Sequence, residues 1–181
     1  CKDLREYACT SITPPKRVRI PLNMHIGGPC KPVVNPGDHV YVGMLIGDGS
    51  GLYAPVHASI SGTVVSTDTE QLPTGATAPV VEIESDGKME NDPSLTVPTY
   101  SSKEEFIDCV RASGAVGLGG AAFPTWFKMR APQGKKFNYL VINGMECEPY
   151  ITSDYRQMME HADRVVDGVH RIATALEIPA A

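Results

Sequence analysis

Between residues 16 and 85 the apolar positions come in short runs, alternating with polar ones, and each run ends at a turn residue. The runs cover 17–22, 31–34, 39–46, 54–60, 62–67 and 80–84. Period-two alternation broken by Gly, Pro, Asn and Asp predicts short strands, and strands at this spacing build a small barrel or sandwich. An imperfect echo lies within them. Asn35-Pro36-Gly37-Asp38-His39-Val40 and Ser59-Ile60-Ser61-Gly62-Thr63-Val64 each set a glycine-containing turn before a β-branched run, which is hairpin punctuation.

The pattern changes after residue 85. Residues 86–100 are polar and carry proline, which predicts a linker. Ser102-Lys103-Glu104-Glu105 is a capping-box sequence, with Phe106, Ile107 and Val110 following at helical spacing and Gly114 as the stop. A glycine-rich loop over 117–124 leads to a short helix over 125–130. Residues 137–142 are apolar and partly β-branched, which predicts a buried strand. Val165, Val166, Val169, Ile172, Ala173 and Leu176 share one face of an amphipathic helix over 162–176. The second half is therefore α/β in character.

Composition narrows the function classes. The 181 residues carry a net charge of −5 and no basic stripe, so nucleic-acid binding through phosphate neutralisation is not expected. The apolar runs are too short to span a bilayer, and no signal-peptide pattern opens the chain, which predicts a soluble piece. Five cysteines without a C-x-x-C pair give no local set of zinc or iron–sulfur ligands, and predict reduced thiols. A chain opening on Cys and closing on Ile-Pro-Ala-Ala behind a helical pattern is expected to be cut from something longer.

Two segments carry candidate chemistry. Gly117-x-Gly119-x-x-Ala122 satisfies the G-x-G-x-x-G/A pattern, in which glycine lets backbone amides approach a phosphate and a following helix adds partial positive charge. A helix rather than a strand precedes it, so a plain tight turn stays an open alternative. Lys128 offers a phosphate counter-charge. The second segment, Ile142-Asn143-Gly144-Met145-Glu146-Cys147-Glu148-Pro149-Tyr150, follows the predicted strand, where α/β sheets bind ligands. Its carboxylates can accept from ribose hydroxyls or a ring N–H, or can form a solvated acidic turn. Cys147 between two carboxylates is disfavoured as a thiolate, so no redox role is expected of it. His25 and His57 beside their turns are expected to be hydrogen-bonded structural histidines, Cys109 to pack, and Met145, Met158 and Met159 to fill gaps.

Gly-Leu-Gly-Gly-Ala-Ala-Phe-Pro-Thr at 117–125, Lys128 and the 142–150 segment resemble the flavin- and NADH-binding core shared by the flavoprotein subunit of respiratory complex I and the RnfC subunit of the Rnf complex. The continuation Tyr150-Ile-Thr-Ser-Asp-Tyr-Arg156 with Met159-Glu160-His161 is closer to the Rnf protein. In the first half, Ile20-Pro21-Leu22-Asn23-Met24-His25-Ile26-Gly27-Gly28-Pro29, Val34-x-Pro36-Gly37-Asp38-x-Val40 and Ala54-Pro55-Val56-His57-Ala58-Ser59-Ile60-Ser61-Gly62-Thr63-Val64 resemble the N-terminal barrel-sandwich domain of RnfC.

The resemblance implies a mixed α+β chain: an N-terminal segment (1–15), a small all-β barrel-sandwich hybrid domain (16–92) and the start of an α/β flavin/NADH-binding domain (93–181). It implies a protein that takes hydride from NADH onto FMN and passes electrons singly to iron–sulfur clusters. Gly117, Gly119 and Gly120 would let the backbone approach the flavin and Lys128 would supply charge. Asn143 and Glu146 would bond the flavin side, with Glu148 and Phe123 towards the nicotinamide nucleotide. No C-x-x-C-x-x-C-x-x-x-C-P run is present, so [4Fe–4S] clusters are expected only in a missing C-terminal part. The implied partners are other subunits of a membrane redox complex, with ferredoxin reached indirectly. The implied location is the cytoplasmic face of a membrane, without a span of its own. Between residues 46 and 56 there is no lysine, so the swinging-arm chemistry of biotinyl and lipoyl carriers is excluded and a docking role is expected instead. A soluble relative of the proline reductase-associated type, and a non-catalytic docking module, remain alternatives. Ala122 and Met145 are the features that keep the second of these open.

Overall fold

The computed structural model describes residues 3–179. After a 3-10 turn at Asp3–Glu6 come eight strands: β1 (Arg17–Pro21), β2 (Lys31–Pro32), β3 (His39–Val40), β4 (Leu45–Asp48), β5 (Val56–His57), β6 (Gly62–Ser66), β7 (Thr69–Gln71) and β8 (Thr77–Ser85). Four helices follow: α1 (Lys103–Ala112), α2 (Thr125–Lys128), α3 (Ser153–Glu160) and α4 (Ala162–Ala175).

The strands form two antiparallel sheets, β1-β8-β6-β3 with β7 on β8, and β2-β4-β5. The nine-residue β8 is the spine: its later part lies between β1 and β6, and its first residues pair with β7. The two echoing segments pair with each other, His39 opposite Thr63 and Val40 opposite Gly62. Leu22, Val40, Ile46, Val64, Val81 and Ile83 meet as the core between the sheets. Cys30 is buried there, its thiol bonded to the Ala54 carbonyl; burial, then the Asp48 charge, push it up to about 11. The predicted 39–46 strand is two strands, because Gly43 turns the chain between them at φ +86. β7 escapes prediction, since Thr69-Glu70-Gln71 has no apolar alternation; pairing with β8 alone makes it a strand.

The predicted linker is pinned over its first part. Val42 donates to the Glu90 carbonyl and Asp92 donates back to Val42, while buried Ser61 holds Asp86 and accepts from the Glu90 N–H. The capping box forms with one change: Ser102 Oγ accepts from the Glu105 N–H, but the Glu105 carboxylate bonds the Ser101 N–H. The predicted buried strand over 137–142 belongs to neither sheet; Tyr139 is 75% and Val141 84% exposed. An apolar run becomes a buried strand only where a ladder and a covering layer meet it, and among the described residues no sheet extends to this one.

The helical half gathers a smaller core of Phe106, Ile107, Trp126, Met129 and Leu176, with Ile172 and Ala175 of α4 against it. The predicted face of α4 packs only at its end; Val166 points outward. Leu52 and Tyr53, at the loop between β4 and β5, join the halves. Leu52 packs on the helical core and the Tyr53 carbonyl accepts from Trp126 Nε1 at 2.7 Å. Arg130 lies 4.7 Å and Arg111 5.9 Å over the indole. A second tie runs from the chain's beginning: the Cys9 N–H donates to Glu160 at 2.8 Å, and Arg156, paired with Glu160, donates to the Arg5 carbonyl at 3.0 Å.

Candidate functional site

The glycine loop is closed at its base. Val116 and Pro124 form an antiparallel bridge, the Gly117 N–H donates to the Phe123 carbonyl at 2.9 Å, and the Thr125 N–H donates to the Ala115 carbonyl. Residues 118–122 therefore project as a tight loop, and among the described residues their N–H groups donate to no backbone carbonyl. The sequence expectation is corrected in two details. Gly117 offers no free amide, because its N–H holds the loop shut. Its value is space, since a Cβ there would lie 2.6 Å from Lys128 Nζ. The short helix is the single turn α2, whose first N–H is taken by Ala115, so it adds no helix-end anion site.

Gly117, Gly119, Gly120, Phe123, Lys128 and Asn143 all line one cleft of about 430 Å³, together with Val141, Ile142, Met145 and Asp154. That volume falls within the range of small-molecule sites. Lys128 Nζ stands 5.9 Å from the Phe123 ring centroid and has no carboxylate within 4.0 Å among the described residues. Asn143 Oδ1 accepts from the Met145 N–H, which leaves its side-chain amide hydrogens to donate. The cleft thus combines unengaged loop amides, one cation, an amide donor and an aromatic edge.

The two carboxylates are not brought in. Glu146 accepts from the Tyr155 N–H at 3.0 Å and so caps α3 from nine residues upstream. Glu148 is exposed in a turn, where its backbone carbonyl receives Ile151. Asp154, in the first turn of α3, is the acid that does line the cleft; nothing in the sequence pattern marks it, because α3 itself has a weak apolar pattern. Met145, Met158 and Met159 are exposed rather than gap-filling, with the Met158 sulfur lying over Gly144. Cys147 is exposed and Cys109 half-buried. Ala122 adopts φ +48, the left-handed region that favours glycine. His25 is buried and His57 half-buried, and burial lowers the pKa of both. Among the described residues no cluster of three metal-ligating side chains occurs, and no helix is long and apolar enough to cross a membrane.

Two family models match the chain: the RnfC barrel sandwich hybrid domain over residues 3–88 and the Nuo51 FMN-binding domain over residues 110–181. Among curated relatives, the C subunit of the Na(+)-translocating ferredoxin:NAD(+) oxidoreductase complex of Acetobacterium woodii is 42% identical over 161 residues, 86% of this chain and 36% of the relative. The C subunit of the proton-translocating ferredoxin:NAD(+) oxidoreductase complex of Clostridium ljungdahlii is 40% identical, covering 91% of this chain and 37% of the relative. The C subunit of the ion-translocating oxidoreductase complex of Rhodobacter capsulatus is 38% identical over 91% of this chain and 33% of its own length. The chain spans about a third of the length of these relatives.

Proposed function

We propose, from the matches to the RnfC barrel sandwich hybrid domain and the Nuo51 FMN-binding domain that follow one another in the chain, that it is the flavin-holding part of an RnfC-like subunit that oxidises NADH. The observation that carries this reading is the convergence of Gly117, Gly119, Gly120, Phe123, Lys128 and Asn143 on one cleft. FMN supplies the acceptance of two electrons as hydride and their release one at a time. The residues fit such a group: the Gly117 position, which a Cβ would fill, leaves Lys128 room to face a phosphate, and the Asn143 amide donates to a polar ring edge. Phe123 walls one side against water.

Glu146 acts through α3, fixing the helix that presents Asp154 to the cleft. Glu148 lies outside the cleft and is assigned no contact with FMN. The division between the domains near residue 92 belongs to the same proposal. So do NADH as donor, [4Fe–4S] clusters elsewhere in the full-length protein, ferredoxin as an indirect partner and docking on other subunits at the cytoplasmic face of a membrane. Full-length protein loaded with FMN and titrated anaerobically with NADH tests it. The flavin's visible band is expected to bleach at stoichiometric NADH, and Lys128→Ala to weaken FMN binding by about tenfold, the size of one charge-assisted contact. A full-length protein that takes up no FMN would make the docking module the better account.

A further inference from the structure

A second cavity, of about 200 Å³, lies between the β-domain and the root of the glycine loop, apart from the flavin cleft. Met24 and His25 line it from the loop after β1, Pro55 and His57 from the β5 region, and Gly114 and Val116 from the segment entering the glycine loop. His25 is only 8% exposed, and its Nε2 is buried without a hydrogen-bond partner among the described residues. Burial lowers the pKa of both histidines, outweighing the opposing pull of the backbone near Gly28 and Ala112. A buried polar atom left unpaired is destabilising, so an apolar side chain would pack this spot better.

The loop that carries it is rigid. The Cys30 N–H closes it onto the Leu22 carbonyl at 2.8 Å, and the Gly28 N–H ties it to the Leu52 carbonyl at 3.0 Å. Gly27 stands at φ +116 where a Cβ would lie 2.1 Å from the Leu52 oxygen. At its outer side the Ile26 N–H donates to the Ala121 carbonyl at 3.1 Å, in the middle of the glycine loop and next to Ala122 at φ +48. A non-glycine residue in that region persists only where its surroundings over-determine it, and this bond is one such determinant.

We propose that the loop from Leu22 to Cys30 sets the conformation of the glycine loop through the Ile26–Ala121 bond, with His25 as the positioning residue that keeps the Leu22–Cys30 loop in place. The barrel-sandwich domain is then part of the cofactor site without touching the cofactor. Where FMN is concerned this rests on the function proposed above. Its test therefore begins with a readout that needs no flavin, amide hydrogen exchange over residues 117–123 in the full-length protein. His25→Leu, which keeps bulk but loses the polar ring beside Gly28, is expected to speed exchange there at least tenfold and leave β6 and β8 unchanged. FMN binding should weaken by about the same factor. His25→Asn, which retains a polar side chain beside Gly28, should recover most of both. Unchanged exchange in His25→Leu, or an Asn variant no better than the Leu one, overturns the proposal. Ile26→Pro deletes the N–H that Ala121 accepts and serves if His25→Leu does not fold; unchanged exchange there overturns it equally. If the unsubstituted protein takes up no FMN, the functional reading falls, and the exchange data alone decide this one.

Discussion

The two halves of the chain solve the same problem in opposite ways. The β half closes its core on itself: Val64, Val81 and Ile83 are shut between two sheets whose hydrogen bonds are all local to that half. The helical half assembles around one residue, Trp126, and borrows Leu52 and the Tyr53 carbonyl from the β half to do so. The first half is therefore expected to hold its fold without its neighbour, and the second to need the docking contact. A site carried by the second half inherits that dependence.

Removing the indole is the strongest way to break this contrast. Trp126→Ala should cost about 3–5 kcal/mol and melt the helical half alone, giving two calorimetric transitions in place of one. Ile83→Ala, at about 2–5 kcal/mol, should instead lower both halves together, because the docking platform goes with the core. A variant of Trp126 that unfolds the whole chain in one step would erase the distinction.

How much of this contrast is legible in the chain follows the same line. The β half can be read from alternation and from turns such as Asn35-Pro36-Gly37-Asp38, because its partners lie nearby in sequence. The glycine loop is legible from its spacing, although only Gly120 of its glycines stands at a positive φ, and Lys128 and Asn143 line the same cleft from elsewhere in the chain. Residues 137–142 mislead because an apolar run reports burial only through the layer that covers it, and Glu146 because its true partner is the start of an unpredicted helix. Leu52-Tyr53 at a hairpin end, where polar residues are usual, is the available signal for the docking contact.

Smaller effects sharpen the comparison. Ser102→Ala should cost about 1 kcal/mol by uncapping α1, and should speed amide exchange in α1 while leaving β6 and β8 unchanged. Ala122→Gly should relieve the left-handed backbone and raise stability by somewhat under about 1 kcal/mol, part of the gain being offset by the unfolded chain's added freedom. Acid should act at the junction first. The pKa values of His25 and His57 are lowered by burial, so the unfolded chain takes up protons before the folded one does. Stability should therefore be constant above the ordinary histidine value of 6.5 and fall as pH drops below it towards the depressed folded values. Melting temperature against pH checks this, with the slope reduced in His57→Gln. Asp86 and Glu160, whose pKa values are lowered chiefly by the Ser61 hydroxyl and the Cys9 N–H, add their own losses only below their ordinary 3.8 and 4.5.

The tie between Cys9 and Glu160 joins groups 151 residues apart in sequence. During synthesis at about 5–20 residues per second, roughly 8–30 s pass between the emergence of its two ends. The β-domain has its whole sequence outside the ribosome well before then and can fold with its leading segment still loose. That segment is fastened only when α3 arrives, so the contact forms late and reports that the helical half has been made and has docked.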